Sequence, residues 1–134
     1  MMVDWAALHS AGADAARRAY QPYSGFPVGA AALVDDGRII SGCNVENASY
    51  GLTLCAECGL VSALHMTGGG RLVAVVTCTL DPANGAPMPV MPCGRCRQLL
   101  WEHGGAGCLI DGDGTVRSLA DILPGAFDAS ELTR

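Results

Sequence analysis

Three cysteines and one glutamate have the types and spacing needed for metal chemistry. Cys93 and Cys96 follow Pro92 with a two-residue gap that lets both sulfurs reach one ion, and Cys55 can supply a third sulfur. This donor set suits zinc, whose fourth coordination position then stays open for water. Glu57 lies two residues after Cys55, too close for both to bind the ion comfortably, so its carboxylate is free to move protons.

The order of these residues indicates one particular reaction. Zinc with three protein ligands lowers the pKa of a water molecule to about 7 and makes it a nucleophile at neutral pH. A ligand followed two positions later by glutamate, and then by Pro-Cys-x-x-Cys, is the signature of zinc enzymes that deaminate nucleobases. In that reaction water attacks the ring carbon that carries the amino group, C4 of cytosine or C6 of adenine, while the glutamate acts as general acid and base. The sequence therefore predicts a hydrolytic deaminase with Glu57 as its proton shuttle.

Apolar periodicity predicts three helices and five strands. The helices cover residues 4–20, residues 55–67 ahead of the glycines at 68–70, and residues 93–103. The strands cover residues 28–34, 38–45, 72–80, 107–110 and 115–117, with a hairpin turn at 35–37 and a proline-rich loop at 81–92.

This order of elements predicts an α/β fold of three layers, with a mixed five-stranded sheet and helices on both faces. Right-handed crossovers through the second and third helices are expected to bring strands into parallel pairing. The starts of both helices then lie at one edge of the sheet, where Cys55 meets Cys93 and Cys96. The free amides at two helix starts offset part of the negative charge of three thiolates.

Composition limits the partners and the compartment. A chain of 134 residues is expected to form one domain over residues 1–134. The net charge of −5 and the scattered arginines argue against nucleic acid as a partner. Because 50% of the residues are apolar and only 16% are charged, we expect identical subunits to cover part of the surface. No signal peptide or membrane span is predicted, and the seven cysteines suit the reducing cytoplasm.

The chain resembles the family of small homotetrameric, zinc-dependent cytidine deaminases. The similarity lies in residues 20–31, 42–51, 55–57 and 92–98, and it continues to residues 123–127. The resemblance implies a cytidine deaminase-like fold with one Zn²⁺ per subunit. It also implies hydrolysis of cytidine and deoxycytidine to uridine and deoxyuridine plus ammonia, a reaction of pyrimidine salvage.

The same resemblance implies roles for residues that would bind the substrate. Phe26 would stack on the pyrimidine, Asn44 and Glu46 would hold the sugar hydroxyls, and the Ala56 amide would read the base edge together with Glu57. A homotetramer would complete each pocket with residues from a neighbouring subunit: Ala48, Tyr50 and Phe127. Because the Glu46 carboxylate suits sugar hydroxyls and repels phosphate, we expect nucleosides to be preferred over nucleotides.

One position departs from the family pattern. Many relatives follow Cys-Ala-Glu with an arginine that donates hydrogen bonds to zinc-bound sulfur, but this chain has Cys58. Loss of that cation leaves the thiolate cluster more negative, and Arg97, next to the last ligand, is the candidate to compensate. We therefore expect Arg97→Ala to weaken zinc retention.

Alternative interpretations stay open. Cys58 allows a closed four-cysteine structural zinc site. The separation of Cys58 from Cys93 exceeds the usual spacing of about 15–20 residues in such sites, and a structural site would give Glu57 no chemical role. A deaminase of a blasticidin-type nucleoside antibiotic would share the zinc motifs, and the acidic charge disfavours a polynucleotide deaminase. Some cysteines and histidines are expected to be structural and are not counted as ligands: Cys43, Cys78, Cys108, His9, His65 and His103.

Overall fold

The computed structural model describes residues 1–133, which contain four α-helices and six strands. The helices are α1 (Trp5–Ala16), α2 (Ala56–Met66), α3 (Gly94–Gly104) and α4 (Leu119–Ile122). The strands are β1 (Gly29–Val34), β2 (Ile39–Cys43), β3 (Leu72–Leu80), β4 (Pro87–Pro89), β5 (Leu109–Asp111) and β6 (Val116–Ser118). Within residues 1–133, no helix has the length and apolar character to cross a membrane.

The strands form one mixed sheet in the order β2-β1-β3-β5-β6. β3 is parallel to β5 but antiparallel to β1, and β1 is antiparallel to β2. The mixed sheet is as predicted. The crossover through α2 differs, because it joins β2 and β3 with β1 between them, and these two strands are not paired. Only the crossover through α3 brings two adjacent strands into parallel pairing.

The sixth strand, β4, lies in the segment predicted to be a loop. It pairs antiparallel with the last residues of β3, in a register that matches Pro87 to Leu80 and Pro89 to Cys78. Proline cannot donate to a sheet ladder and is confined to edge strands, so a proline-rich segment carries little strand signal. The sheet therefore has six strands where five were predicted.

Helices cover both faces of the sheet because successive residues of the interior strand β1 point to opposite sides. On one side Ala30, Ala32 and Val34 pack into a core with residues of α2, α3 and α4, including Leu60, Leu64, Leu100 and Leu119. On the other side Ala31 and Leu33 pack against Leu8 of α1. All six residues of β1 are buried. This arrangement confirms the predicted three layers.

The first helix is shorter than predicted. Asp4 caps it as expected, accepting a hydrogen bond from the Ala7 amide at 3.1 Å. The helix ends at Ala16 because Tyr20 is drawn into a backbone bridge with Val45. There the Tyr20 amide donates to the Asn44 carbonyl at 3.0 Å. A tertiary contact thus overrides the helical periodicity over 17–20.

A glycine of β2 allows α2 to lie directly on the sheet. A Cβ atom at Gly42 would lie only 2.4 Å from the Ala56 carbonyl oxygen and 2.5 Å from the Leu60 amide nitrogen. Any larger residue there would push the first turn of α2 away from β2. Because that turn carries Glu57 and follows Cys55, Gly42 fixes the distance of both residues from the sheet.

Candidate active site and metal centre

The three predicted cysteine ligands converge at the starts of two helices. Cys55 is the N-cap residue of α2, Cys93 is the N-cap residue of α3, and Cys96 lies in the first turn of α3. Their sulfur atoms lie within 4.8 Å of one another. Tetrahedral zinc, with Zn–S bonds of about 2.3 Å, holds its sulfurs about 3.8 Å apart. The donor set and its spacing therefore fit zinc, and these three residues would hold it.

The electrostatics of the three sulfurs also favour a bound cation. Burial raises the pKa of the Cys55 and Cys96 thiols, and the nearby Glu57 carboxylate raises both further. Burial acts in the same direction on Cys93, but hydrogen bonds from Cys96 and from the Arg95 amide outweigh it and lower the pKa of that thiol. Zinc deprotonates the thiols that bind it, so a divalent cation would supply the positive charge that offsets three neighbouring thiolates.

Among the described residues 1–133, this is the only group of three or more cysteine, histidine or acidic side chains close enough to hold a metal ion. Cys58 does not belong to it, so the geometry does not favour the four-cysteine structural site. His9 lies on the opposite side of the sheet, where it pairs with Asp111 at 2.9 Å. As predicted, Cys78 and Cys108 are buried in the core.

A cavity of about 260 Å³ opens directly above the sulfurs. Its walls join the ligands to several other predicted residues and to apolar residues that the sequence did not single out: Phe26, Val28, Cys55, Ala56, Glu57, Val90, Met91, Pro92, Cys93 and Cys96. Glu57 is only 3% exposed. Burial contributes most to the raised pKa of the Cys96 thiol, and the Glu57 carboxylate raises it further. The volume is just below the usual range for small-molecule sites and suits one heterocyclic ring.

Two buried threonines of β3 hold the loops that form the cavity walls. The Thr79 hydroxyl donates to the Pro27 carbonyl at 2.6 Å, and the Thr77 hydroxyl donates to the Val90 carbonyl. Sequence reasoning did not assign either residue. The available signal was two threonines at alternate positions in an otherwise apolar strand, where a buried hydroxyl requires a hydrogen-bond partner.

Asn44 holds the loop that carries Phe26. It is buried, its side-chain nitrogen donates to the Phe26 carbonyl at 3.0 Å, and its side-chain oxygen accepts from the Val28 amide at 2.8 Å. An amide nitrogen carries two hydrogens, so one donor remains after the bond to Phe26. Asn44 can therefore position the aromatic ring and still donate to a substrate hydroxyl.

Glu46 is connected to Phe26 through Ser24, a residue that sequence reasoning missed. The Ser24 hydroxyl donates to the Glu46 carboxylate and accepts from the Phe26 amide at 3.0 Å. Glu46 also accepts from the amides of Tyr23 at 2.9 Å and Ser24 at 3.1 Å. The bond from the Ser24 hydroxyl is the main cause of a lowered pKa at Glu46, so this carboxylate is ionised at neutral pH.

The structure places the remaining predicted residues outside the cavity of their own chain. Glu46 and Tyr50 line a separate groove of about 380 Å³ together with Tyr23, Ser24, Asn47 and Thr53. Ala48 is exposed, Tyr50 is 77% exposed and Phe127 is 57% exposed. The larger groove beside Arg71 and Trp101, about 510 Å³, contains none of the predicted residues.

Arg95 and Arg97, two arginines in the first turn of α3, have different contacts. Arg97 donates to the Pro92 carbonyl and to the Ile122 carbonyl, both at 2.8 Å, and the structure gives it no bond to a thiol. Arg95 instead places Nη1 at 3.7 Å from Cys55 Sγ. The negative charges of Cys58 and Cys55 thiolates raise the pKa of the Arg95 guanidinium. Arg97 therefore contacts backbone carbonyls while Arg95 contacts a sulfur, a difference that residue spacing alone does not reveal. Compensation by Arg97 for the missing cation at Cys58 stays a prediction.

Arg97→Ala is still expected to weaken zinc retention, because Arg97 ties the segment before Cys93 to the end of α4. Loss of two partly buried hydrogen bonds should lower the free energy of unfolding by about 1–3 kcal/mol. Urea unfolding and zinc content measure both effects. Arg117→Ala is the matched control, because it removes an arginine that pairs with Asp113 at the surface. An Arg97→Ala protein with unchanged stability and zinc content would contradict the expectation.

Comparisons with known proteins agree with this geometry. Residues 3–110 match the family model described as the cytidine and deoxycytidylate deaminase zinc-binding region. The chain is 58% identical over 132 residues to the cytidine deaminase of Mycobacterium tuberculosis strain H37Rv, covering 98% of this chain and 96% of that protein. It is 40% identical over 119 residues to the cytidine deaminase of Halalkalibacterium halodurans, covering 85% and 86% of the two chains.

Solved structures give the same result. The crystal structure of cytidine deaminase from Mycobacterium tuberculosis matches with a TM-score of 0.86 and 58% identity, over 95% of this chain and 99% of that one. The enzyme from Mycobacterium leprae matches with a TM-score of 0.83 and 54% identity, over 92% and 99%. Fold and site together define a zinc-binding deaminase domain. The chain belongs to the family of cytidine and deoxycytidylate deaminases.

Proposed function

We propose that this protein is a zinc-dependent cytidine deaminase, which converts cytidine and deoxycytidine with water to uridine and deoxyuridine plus ammonia. The observation that supports it most strongly is one cavity that contains three convergent sulfurs, the buried Glu57 carboxylate and an aromatic ring, Phe26. The relatives reported above, all described as cytidine deaminases, favour cytidine over a nucleoside antibiotic.

Several residues of the cavity have a chemical role in this reaction. Bound zinc supplies Lewis acidity that makes water nucleophilic at neutral pH. Glu57 takes one proton from the attacking water and delivers it to N3 of the ring. It then takes the second proton from the oxygen now bonded to C4 and delivers it to the amino group, which leaves as ammonia as its bond to C4 breaks. Phe26 packs on the pyrimidine, and the apolar walls exclude bulk water, which strengthens electrostatic interactions inside the cavity. The Ala56 amide at the start of α2 can donate to the base edge.

We propose that the active form is a homotetramer of single-domain subunits in the cytoplasm. The segment after β2 exposes large apolar side chains that another copy would cover: Val45, Tyr50, Leu52 and Leu54. Phe127 is exposed as well and would complete the pocket of a neighbouring subunit, as would Ala48 and Tyr50. Seven free cysteines suit a reducing compartment.

Nucleosides should be much better substrates than nucleotides. The family model covers both cytidine and deoxycytidylate enzymes, so phosphate discrimination is an informative test. Glu46 is ionised and repels a nearby phosphate, so we expect kcat/KM for CMP to be about 10²-fold or more below that for cytidine.

Parallel assays of ammonia release from cytidine, deoxycytidine and CMP measure this preference. The two nucleosides should be turned over and CMP should not. Glu46→Gln is the informative variant, because it removes the charge and keeps an acceptor for sugar hydroxyls. Efficient turnover of CMP by the unaltered protein would contradict the proposed specificity, whereas turnover of none of the three would contradict the proposed function.

A further inference from the structure

The zinc site carries more negative charge than the two helix starts can offset. Three thiolates and one Zn²⁺ have a net charge of −1, and Glu57 adds another unit within the same buried region. Helix N-termini contribute roughly half a positive charge each, and only within their first turn. A full positive charge close to the sulfurs would therefore stabilise the zinc-bound site.

The arginines nearest to the site have different partners. The guanidinium of Arg97 is held by the carbonyls of Pro92 and Ile122. Arg95 is the residue whose guanidinium reaches a site sulfur, with Nη1 at 3.7 Å from Cys55 Sγ. Arg95 does not line the cavity, so it contacts a ligand from outside the space that the base would occupy.

Cys58 lies at a position from which a basic side chain would compete with Arg95 for the Cys55 sulfur. It is three residues after Cys55 in the first turn of α2, with its amide donating to the Cys55 carbonyl at 3.0 Å. Residues three apart on a helix are surface neighbours, so a long basic side chain at this position could also reach the Cys55 sulfur. The small thiol at Cys58 leaves that approach to Arg95.

We propose that Arg95 is a positioning residue whose guanidinium donates to the Cys55 sulfur and so slows the loss of zinc, with Cys58 as the small residue that leaves it room. This inference rests on the zinc site of the proposed function. Arg95 acts through Cys55 and not on the substrate. Its removal should therefore change zinc retention and leave the KM for cytidine unchanged when zinc is saturating.

The first test is the rate at which zinc leaves the purified protein when a chelator such as EDTA is present in excess. Loss of a side chain that supports a metal ligand typically costs 10–100-fold in metal affinity, so Arg95→Ala should lose zinc about 10–100-fold faster than the unaltered protein. Arg95→Lys keeps the charge without the guanidinium geometry, so its rate of zinc release should lie between those of Arg95→Ala and the unaltered protein. Arg117→Ala, a matched loss of one surface arginine, should retain zinc normally.

The second test moves the positive charge from position 95 to position 58. Adding Cys58→Arg to Arg95→Ala should restore slow zinc release, because a guanidinium again reaches the Cys55 sulfur. Adding Cys58→Ala to Arg95→Ala should not, and this double variant separates the returned charge from the loss of a thiol. Arg95→Glu tests the effect of charge without any change in α2, and this variant should release zinc faster than Arg95→Ala.

The outcomes distinguish this inference from the proposed function. Equal release rates for the unaltered protein, Arg95→Ala and Arg95→Glu would overturn the role of Arg95 while leaving zinc-dependent turnover intact. An increased KM for cytidine in zinc-saturated Arg95→Ala would overturn it too, because the residue would then act on the substrate. A purified, folded wild-type protein that binds no zinc would overturn both.

Discussion

Glu57→Gln should reduce deamination of cytidine by about 10²–10⁴-fold while the protein keeps its zinc, since this is the range that a positioned general acid and base contributes. Glutamine has nearly the same shape as glutamate, but it cannot take a proton from water and pass it to the ring. The buried Glu57 carboxylate is close to the sulfurs but outside the three-cysteine group. Its replacement should therefore affect kcat and leave the metal ligands unchanged.

Steady-state kinetics and zinc content of the same preparation measure this prediction. Glu102→Gln is the matched control, because Glu102 lies on α3 beside a groove that contains none of the site residues. It should behave like the unaltered protein. Unimpaired turnover by Glu57→Gln would contradict Glu57 as the proton shuttle, and loss of zinc in this variant would indicate a metal ligand instead.

Cys93→Ala should weaken zinc binding strongly and lower activity to background when zinc is not in excess. Four-ligand zinc sites bind with roughly 10–16 kcal/mol in total, so one ligand accounts for about 3–4 kcal/mol, or about 10²–10³-fold in affinity. The two sulfurs that remain would have to share the metal with solvent. Without bound metal no nucleophilic water is generated at neutral pH, so activity should fall to background.

Zinc titration and assays at several zinc concentrations test this result, with Cys58→Ala as the matched control. Cys58 lies one turn from Cys55 but outside the three-cysteine group, so Cys58→Ala should retain one zinc per subunit. A Cys93→Ala protein with full zinc occupancy would contradict the ligand assignment. Loss of zinc in Cys58→Ala would restore the four-cysteine structural site as an interpretation.

Local sequence signals predict much of the secondary structure that positions the site. The apolar run Leu72–Leu80 predicts β3 at the bounds that the structure shows, and the cysteines at positions 55 and 93 are found at helix starts as predicted. These features depend on periodicity and on residue types next to one another. The Pro87–Pro89 strand lacked such a signal because its ladder depends on the end of β3.

The supporting contacts of the site could not be predicted, because they join residues distant in sequence. Thr79 reaches Pro27 over 52 positions, and Arg95 reaches Cys55 over 40. Ser24 connects to Glu46 only because the loops before β1 and after β2 are neighbours in the fold. Side-chain direction at a helix start likewise separates Arg95 from Arg97, and residue spacing carries no information about it.

The most direct test of cytidine deamination by this site is to incubate purified, zinc-loaded protein with cytidine and to quantify uridine and ammonia together. We expect equal amounts of the two products, many equivalents per subunit, and loss of both when Glu57 is replaced by glutamine. A folded, zinc-loaded protein that forms neither product would contradict the claim that this three-cysteine cavity deaminates cytidine.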